Sequence, residues 1–305
     1  MIDAIPVNES LDRALAQPPL SSTYPSGGQK QPLGAAPVFA VTSGKGGVGK
    51  TNVVANLAMA LMLKQKRVMV IDADLGTANL DLFLGVKPRF TLADFFAGSA
   101  SLEEIIMINR RGILLLPGAS GVQEITALNY DQKLALVTEL DALTHEVDLV
   151  LVDTGSGISD AVTYFSTAAQ EIVVVVTPEP SSLTDAYALV KVLTCTHHEK
   201  RFRIVTNNVS GEAEARRLFE TFSGTALRFL NASLDLLGWV PRDPRLARAV
   251  AQAQIVVDQA LDAPSAQAFL NIADRLVESI AAGIKVKGNL QFFFQRMLEA
   301  GRADR

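Results

Sequence analysis

Residues 43–51 read Ser-Gly-Lys-Gly-Gly-Val-Gly-Lys-Thr. From Gly44 to Thr51 they fit the phosphate-loop pattern of a glycine, four residues and then Gly-Lys-Ser/Thr. Glycines let backbone N–H groups converge on phosphate oxygens, because no Cβ obstructs the turn. An apolar run precedes the loop at 38–41 and a helical pattern follows at 53–63, so the start of a helix faces the same anion. This stretch therefore predicts a strand, a nucleotide-binding loop and a helix.

Two lysines lie in this loop, and the phosphate pattern explains only one of them. Lys50 supplies a positive charge for the outer phosphates, and Thr51 offers a hydroxyl to Mg²⁺. Lys45 is additional. The residues that we assign to nucleotide binding here are Gly44, Lys45, Gly46, Gly47, Val48, Gly49, Lys50, Thr51 and Asn52.

Composition excludes several classes of protein. The 305 residues are 49% hydrophobic, with a net charge of −4 and a pI of about 5.5, which argues against nucleic-acid binding through net charge. The single cysteine, Cys195, allows neither an internal disulfide nor a multi-cysteine metal site. The N-terminus has no charged start followed by an apolar core, and no apolar run approaches the roughly 20 residues that span a bilayer. We therefore expect a cytoplasmic protein.

The chain divides into three parts by composition. Residues 1–36 are rich in Pro, Gly, Ser and Gln, which predicts a flexible N-terminal tail. A short helical pattern at 8–17 leaves open either a disordered leader or a peptide that docks on a partner. Residues 37–283 are predicted to form one ATPase domain, and residues 284–305 a C-terminal amphipathic helix.

Apolar runs alternate with amphipathic segments throughout the predicted domain. Strands are predicted at 38–42, 67–72, 112–116, 148–153, 171–177, 203–207 and 234–240. Helices are predicted at 51–64, 91–97, 131–144, 161–168, 182–196, 211–222, 245–253 and 263–282. Continuous Val/Ile/Leu runs are typical of strands that are covered on both faces. The fold class is therefore α/β, a single phosphate-loop NTPase domain whose mostly parallel sheet carries helices on both faces.

Acidic residues follow two of these strands, at the sheet edge where ligands bind in this architecture. Asp72 and Asp74 end the second predicted strand, and Asp153 ends the fourth. Carboxylates here can hold the Mg²⁺ shell or orient an attacking water molecule. We expect both tasks to be carried out by this group.

Two later strand ends contribute polar residues. The segment 177–185 leaves a strand and enters a helix, with Ser181 or Ser182 as the predicted N-cap. Asn207 ends another strand, and an amide there can read a purine edge. The lysine and aspartate of the usual guanine-reading motif are absent, which favours adenine. Trp239 is interpreted as a packing residue rather than a stacking platform.

With these residues in view, the chain resembles the MinD/ParA class of deviant phosphate-loop ATPases. The marker is the loop at 45–51 with its extra lysine. Within that class, the segments 72–81, 117–121, 184–191 and 288–296 resemble the FleN/FlhG regulators of flagellar number. The resemblance covers about 38–297.

The resemblance implies roles for individual residues. Lys45, Lys50 and Asp74 are catalytic: Lys45 reaches the phosphates of the other subunit in an ATP-sandwiched dimer, and Asp74 orients the attacking water. Thr51, Asp72 and Asp153 are the metal-site residues. Glu179 and Asp185 meet the ribose or the extra lysine across the dimer. The adenine pocket is formed by Asn207, Pro241, Arg242 and Asp243.

Function and partners are also implied by the resemblance. We expect a slow, Mg²⁺-dependent ATPase that dimerises on ATP and regulates flagellar number through an FlhF-type GTPase and a FleQ-like transcriptional activator. The segment 12–15 faintly resembles the element by which some members stimulate that GTPase. The C-terminal helix would bind inner-membrane lipid or pack on the domain. Relatives usually carry Ala-Ala-Gly or Pro-Ala-Gly where Gly155-Ser156-Gly157 stands here, which bears on how this switch loop moves.

Two alternatives stay open. One is a MinD-like or ParA-like ATPase that positions the division site or a cargo, and the other is an adaptor that binds ATP without hydrolysing it. An iron–sulfur carrier of the same class is disfavoured because the chain has no Cys-x-x-Cys pair.

Overall fold

The computed structural model describes residues 36–74, 79–91, 94–95, 97–118 and 147–282. All of them belong to one compact unit. The strands in this part of the chain are β1 (Val38–Ser43), β2 (Val68–Ala73), β3 (Met107–Ile108), β4 (Leu114–Leu116), β5 (Leu149–Ser156), β6 (Glu171–Val176), β7 (Arg201–Val209) and β8 (Ser233–Pro241). The helices are α1 (Lys50–Leu63), α2 (Leu80–Leu84), α3 (Leu102–Ile105), α4 (Asp160–Ala168), α5 (Pro180–Cys195), α6 (Glu212–Leu230), α7 (Pro244–Ala251), α8 (Val256–Gln259) and α9 (Pro264–Ala281).

These strands form one sheet in the order β3-β4-β2-β5-β1-β6-β7-β8. Every described pairing is parallel except that of β3 with β4. Strand β1 lies centrally between β5 and β6, with Val38 opposite Val150 and Phe39 opposite Glu171. The carboxyl ends of β2, β5, β1, β6 and β7 therefore meet along one edge, which brings the predicted site residues together.

Helices cover both faces of the sheet. On one face α1, α7, α8 and α9 pack on a core that includes Phe39, Val41, Leu57 and Phe269. On the other face α5 and α6 pack over Val174, Ile204 and their neighbours. Helix α1 buries Asn52 to Leu61 almost completely, which fits a sequence that is apolar at every position of this segment except the two asparagines, Asn52 and Asn56.

The predicted α/β class and all seven predicted strands are confirmed. Helices at 51–64, 161–168, 182–196, 211–222, 245–253 and 263–282 are also present, with α6 extending to Leu230. The structure adds β3, α2, α3 and α8, each five residues or fewer. Such short elements have too few residues to show a period.

Some predictions concern parts of the chain that are described incompletely or not at all. The segment 91–97 is described in part, and the predicted helix at 131–144 lies outside the described residues. So do 1–35 and the C-terminal segment 284–305. In the part of the chain that the structure describes, no helix is both long and apolar enough to cross a bilayer.

Candidate nucleotide site

The loop between β1 and α1 has the backbone of an anion cradle. Gly47 and Gly49 adopt left-handed conformations, with φ of 79° and 87°. Gly49 is the N-cap of α1 and makes no side-chain cap hydrogen bond, so it leaves the first N–H groups of the helix for a ligand. A helix N-terminus with free N–H groups attracts phosphate.

Two glycines of this loop are needed because other parts of the chain approach them closely. A Cβ on Gly44 would lie 2.1 Å from the carbonyl carbon of Asp185, in the backbone of α5. A Cβ on Gly49 would lie 2.6 Å from Nδ2 of Asn207. The loop is therefore seated against α5 on one side and the end of β7 on the other.

Lys50 lies at the buried centre of the site. Its Nζ is 2.7 Å from Oδ1 of Asp153 and 3.9 Å from Oδ2 of Asp74. The side chains of Lys50 and Asp153 are only 6% and 1% exposed. The structure thus brings together three residues that the sequence placed in one site, from the ends of β1, β2 and β5.

Negative charge exceeds positive charge around Lys50. Burial, together with the nearby Asp153, raises the pKa of the Asp72 carboxyl to about 7. The hydrogen bonds that this carboxyl accepts from the N–H groups of Asp74 and Leu80 lower the pKa and offset part of the rise. Burial also raises the pKa of Asp153, although Lys50 opposes this. Lys50 is paired with two carboxylates, Asp153 and Asp74, and the third, Asp72, lies near Asp153, an arrangement that a cation would stabilise.

The residues present fit a magnesium ion that also binds phosphate. Oδ2 of Asp153 is buried and has no hydrogen-bond partner among the described residues. The same residues contain no group of three or more His, Cys, Asp or Glu side chains placed to hold a metal ion. Mg²⁺ is commonly held by one or two carboxylates together with substrate phosphates. Asp153 and the neighbouring Thr51 hydroxyl are the protein groups that would contribute here.

Lys45 points away from this buried centre. Its Nζ lies 2.5 Å from Oε2 of Glu179 and donates to Oγ of Ser181 at 2.9 Å. The side chains of Lys45 and Glu179 are 35% and 60% exposed. Within one chain the extra lysine is therefore held at the N-terminus of α5, separate from Lys50.

The loop after Asp153 is joined to the start of the phosphate loop. The N–H of Gly157 donates to the carbonyl of Ser43 at 2.9 Å, and Ser156 pairs with Ser43 in the sheet. Gly157 has a φ of 91°, which favours glycine. The Gly-Ser-Gly sequence thus continues β5 by pairing along β1 and turns only at Gly157.

Asn207 braces the phosphate loop. Its Nδ2 donates to the carbonyl of Val48 at 2.8 Å, while its Oδ1 is buried with no partner in the described part of the chain. Asn207 is 7% exposed. The amide therefore has one free acceptor beside the loop.

The segment after β8 has a structural task that the sequence did not reveal. Asp243 caps α7 by accepting from the N–H of Arg245, and its second oxygen accepts from the N–H and hydroxyl of Ser265. Burial opposes ionisation, but these hydrogen bonds prevail and lower the pKa of Asp243. Arg242 is exposed and donates to Oδ1 of Asn208 at 3.4 Å, and Pro241 ends β8. Whether this segment contacts adenine stays a prediction.

Other residues lie in positions that the sequence described only in part. Asp185 meets the phosphate loop through its backbone at Gly44. The prediction of Ser181 or Ser182 as the N-cap of α5 is wrong: Glu179 holds that position, and Ser182 lies inside the helix and accepts from the N–H of Thr177. Gly118 was missed as a site residue: a Cβ there would lie 2.8 Å from the carbonyl oxygen of Asp72. A Pro-Gly pair at a strand end was the available signal.

Comparison with known proteins gives consistent matches over most of the chain. The family model described as ParA, NUBPL iron-transfer P-loop NTPase, matches residues 35–277. The antiactivator FleN of Pseudomonas aeruginosa is 39% identical over 262 residues, covering 86% of this chain and 93% of FleN. The flagellum site-determining protein YlxH of Helicobacter pylori is 35% identical, covering 86% of this chain and 89% of YlxH.

A solved structure supports the same assignment. The septum site-determining protein MinD in complex with Mg-ADP, from Pyrococcus horikoshii, is 27% identical and superposes with a TM-score of 0.62. The match covers 83% of this chain and 99% of that one. The likeness therefore includes the whole of a domain that binds a magnesium nucleotide.

Proposed function

This chain belongs to the ParA/MinD family of phosphate-loop NTPases, and on that premise we propose that it is an ATP-hydrolysing switch that dimerises on ATP and regulates flagellar number. The observation that carries the proposal is the separation of the two loop lysines. Lys50 lies at the buried centre beside Asp153, whereas Lys45 is held at the entrance of α5. A lysine that is held at α5, apart from the buried centre where Lys50 lies, suits a role towards a second copy of the chain.

ATP is the proposed nucleotide. Oδ1 of Asn207 is a buried, unpartnered acceptor next to the phosphate loop. An adenine amino group would donate to it, whereas guanine presents a carbonyl oxygen there and would leave two acceptors facing each other. Leaving such a group unpaired is unfavourable, so we expect the site to prefer ATP over GTP.

Hydrolysis in this proposal relies on position and charge. Lys50 neutralises the outer phosphates, and Asp74, which is partly buried at 3.9 Å from Lys50, orients the attacking water. Thr51 and Asp153 would hold the Mg²⁺ ion, with Asp72 close to Asp153 at the edge of its shell. Because little covalent chemistry is involved, we expect slow turnover.

The proposed output is flagellar regulation. FleN is described as an antiactivator and YlxH as a flagellum site-determining protein, and both match along most of their length. We propose that this chain likewise acts on a FleQ-like transcriptional activator and an FlhF-type GTPase. In its ATP-bound dimer it would bind the inner face of the membrane through residues 284–305, and no role for nucleic acid is proposed.

The decisive biochemical test compares the two lysines by sedimentation with ATP or ADP and Mg²⁺. Lys45→Ala should lose the ATP-dependent dimer and keep ADP binding, while Lys50→Ala should lose both. A normal ATP dimer of Lys45→Ala would contradict the cross-subunit role. Asp74→Ala should dimerise and fail to hydrolyse, and equal inactivity of the wild type would instead favour the non-hydrolysing adaptor.

A MinD-like role in placing the division site is the second candidate, favoured by the likeness to MinD structures. Deletion of the gene separates the two. Altered numbers of flagella with normal septa support the flagellar role, whereas minicells with normal flagella support the MinD-like one.

A further inference from the structure

A buried asparagine connects the phosphate-loop helix to the C-terminal part of the domain. Asn56 lies in α1 and is 0% exposed. Its Nδ2 donates to the backbone oxygen and to Oδ1 of Asn52, at 2.8 and 2.7 Å. Its Oδ1 accepts from the N–H of Val257 at 3.1 Å. Both hydrogens of this amide and its oxygen are thus used, as a fully buried amide requires.

Asn56 acts as a cap for a helix that cannot cap itself. Helix α8 begins after Ile255, whose side chain makes no cap hydrogen bond. The N–H of Val257 in its first turn would be left without a partner, and Asn56 supplies the acceptor from 201 residues away. The position of Asn56 is therefore fixed from outside α1.

Asn52 is oriented by this arrangement. It lies in the first turn of α1, directly after Thr51, and is 8% exposed. Its side-chain oxygen is engaged by Asn56, so its NH₂ group is the end that faces away from Asn56. Among the described residues no acceptor pairs with this NH₂ group. Asn52 as a residue is nine-tenths buried, and its NH₂ group, which has no partner in the described part of the chain, is left for a ligand that accepts in a turn that attracts anions.

We propose that Asn56 is a positioning residue for nucleotide binding: it holds the oxygen of Asn52 inward, so that the NH₂ group of Asn52 donates to a phosphate oxygen of the bound nucleotide. The inference rests on the proposed function, since it requires that the chain binds a nucleotide. An amide has a donor end and an acceptor end, and a half-turn would present an oxygen to the phosphate. The hydrogen bond from Asn56 fixes which end of the Asn52 amide faces the phosphate.

A double-mutant cycle on the full chain tests the coupling, with ADP affinity measured by calorimetry in Mg²⁺. Asn52→Ala should weaken ADP binding about tenfold, the value of one hydrogen bond to a charged group. Asn56→Ala should weaken it roughly threefold to tenfold, and the double variant should bind within about twofold of Asn52→Ala. Equal weakening by Asn56→Ala in both backgrounds would overturn the positioning role.

Val257→Ala is the matched control for general loosening. It opens a cavity at α8 and lowers stability, but it keeps the N–H that Asn56 caps. We expect its ADP affinity to match the wild type. A loss as large as that of Asn56→Ala would show that destabilised α8 alone explains the effect, and would overturn the proposal.

A second variant keeps the proposal testable if Asn56→Ala does not fold. Asn52→Asp retains an oxygen for Asn56 and removes the NH₂ group, and it should weaken ADP binding by about tenfold or more. Wild-type affinity in Asn52→Asp would overturn the donor role and leave the proposed function intact. A folded wild type that fails to bind ADP would overturn both.

Discussion

Replacing Asp72 with asparagine should change how the stability of the nucleotide-free protein depends on pH. Asp72 is 5% exposed, and burial together with Asp153 raises its pKa from 3.8 to about 7. The folded chain therefore binds this proton more tightly than the unfolded chain. The resulting stabilisation is fully present below about pH 4 and is lost as the pH rises through 7.

The size of the effect follows from the two pKa values. Between pH 5 and pH 7 the unfolded Asp72 is ionised while the folded one keeps its proton, so each pH unit lowers the free energy of unfolding by about 1.4 kcal/mol. The wild type should lose roughly 2.5 kcal/mol between pH 5 and pH 8 from this one group. Asp72→Asn should lose none of it.

Comparing two pH values separates this effect from the lost hydrogen bond. Asp72 accepts from the N–H groups of Asp74 and Leu80, and asparagine has one oxygen for the two. The lost hydrogen bond lowers the free energy of unfolding of Asp72→Asn by about 1 kcal/mol at both pH values, so it cancels when the change in stability between them is compared with that of the wild type.

The assay is urea unfolding at several pH values between 5 and 8, in buffer with a chelator and no nucleotide. Asp160→Asn is the control, because it removes an exposed carboxylate in the first turn of α4. It should follow the wild-type profile. Parallel profiles for wild type and Asp72→Asn would refute the reasoning, because they would mean that Asp72 holds no extra proton in the folded state.

Three further predictions concern the rims of the site. Gly44→Ala places a methyl group 2.1 Å from the backbone of α5, so we expect loss of nucleotide binding and a lower melting temperature; unchanged calorimetric ADP affinity would contradict this. Glu179→Gln weakens a partly exposed ion pair with Lys45, which is worth at most about 1 kcal/mol, so the ATP-dependent dimerisation constant from sedimentation should shift less than about fivefold. Asp243→Ala removes a helix cap and the bonds from Ser265, and should cost roughly 2–4 kcal/mol in urea unfolding at pH 7. Since the pKa of Asp243 is lowered, part of that deficit should vanish as the pH falls below about 4, and a constant deficit would show that the charge is irrelevant.

The sheet and the centre of the site could be predicted because their signals are local and redundant. The runs Leu149–Val152 and Val173–Val176 are buried on both sides, so their residues are apolar without interruption. Each apolar run is followed directly by a polar residue, Asp153 in β5 and Thr177 after β6. Parallel pairing then places those residues on one edge whatever the strand order.

Contacts that depend on strand order and helix packing could not be predicted. Asn56 is a polar residue in an apolar helix, and nothing nearby in the sequence indicates that Val257 is its partner. Asn207 has the residue type of a base-reading amide, yet its NH₂ group braces Val48. The start of α3, by contrast, has a local signal: Ser101 and Glu104 form a capping box whose residue pattern is visible in the sequence. The helix that follows is too short to show a hydrophobic period.

The central position of β1 has a consequence for the order in which the protein can be made. This strand leaves the ribosome before both of its neighbours in the sheet, which begin at Leu149 and Glu171. Because synthesis proceeds at roughly 5–20 residues per second, both neighbours follow β1 only after a delay on the order of ten seconds. During that time its apolar strand is uncovered and the loop after it cannot hold phosphate. Nucleotide therefore cannot assist folding on the ribosome before β6 has emerged, and until then the uncovered apolar strand is open to aggregation.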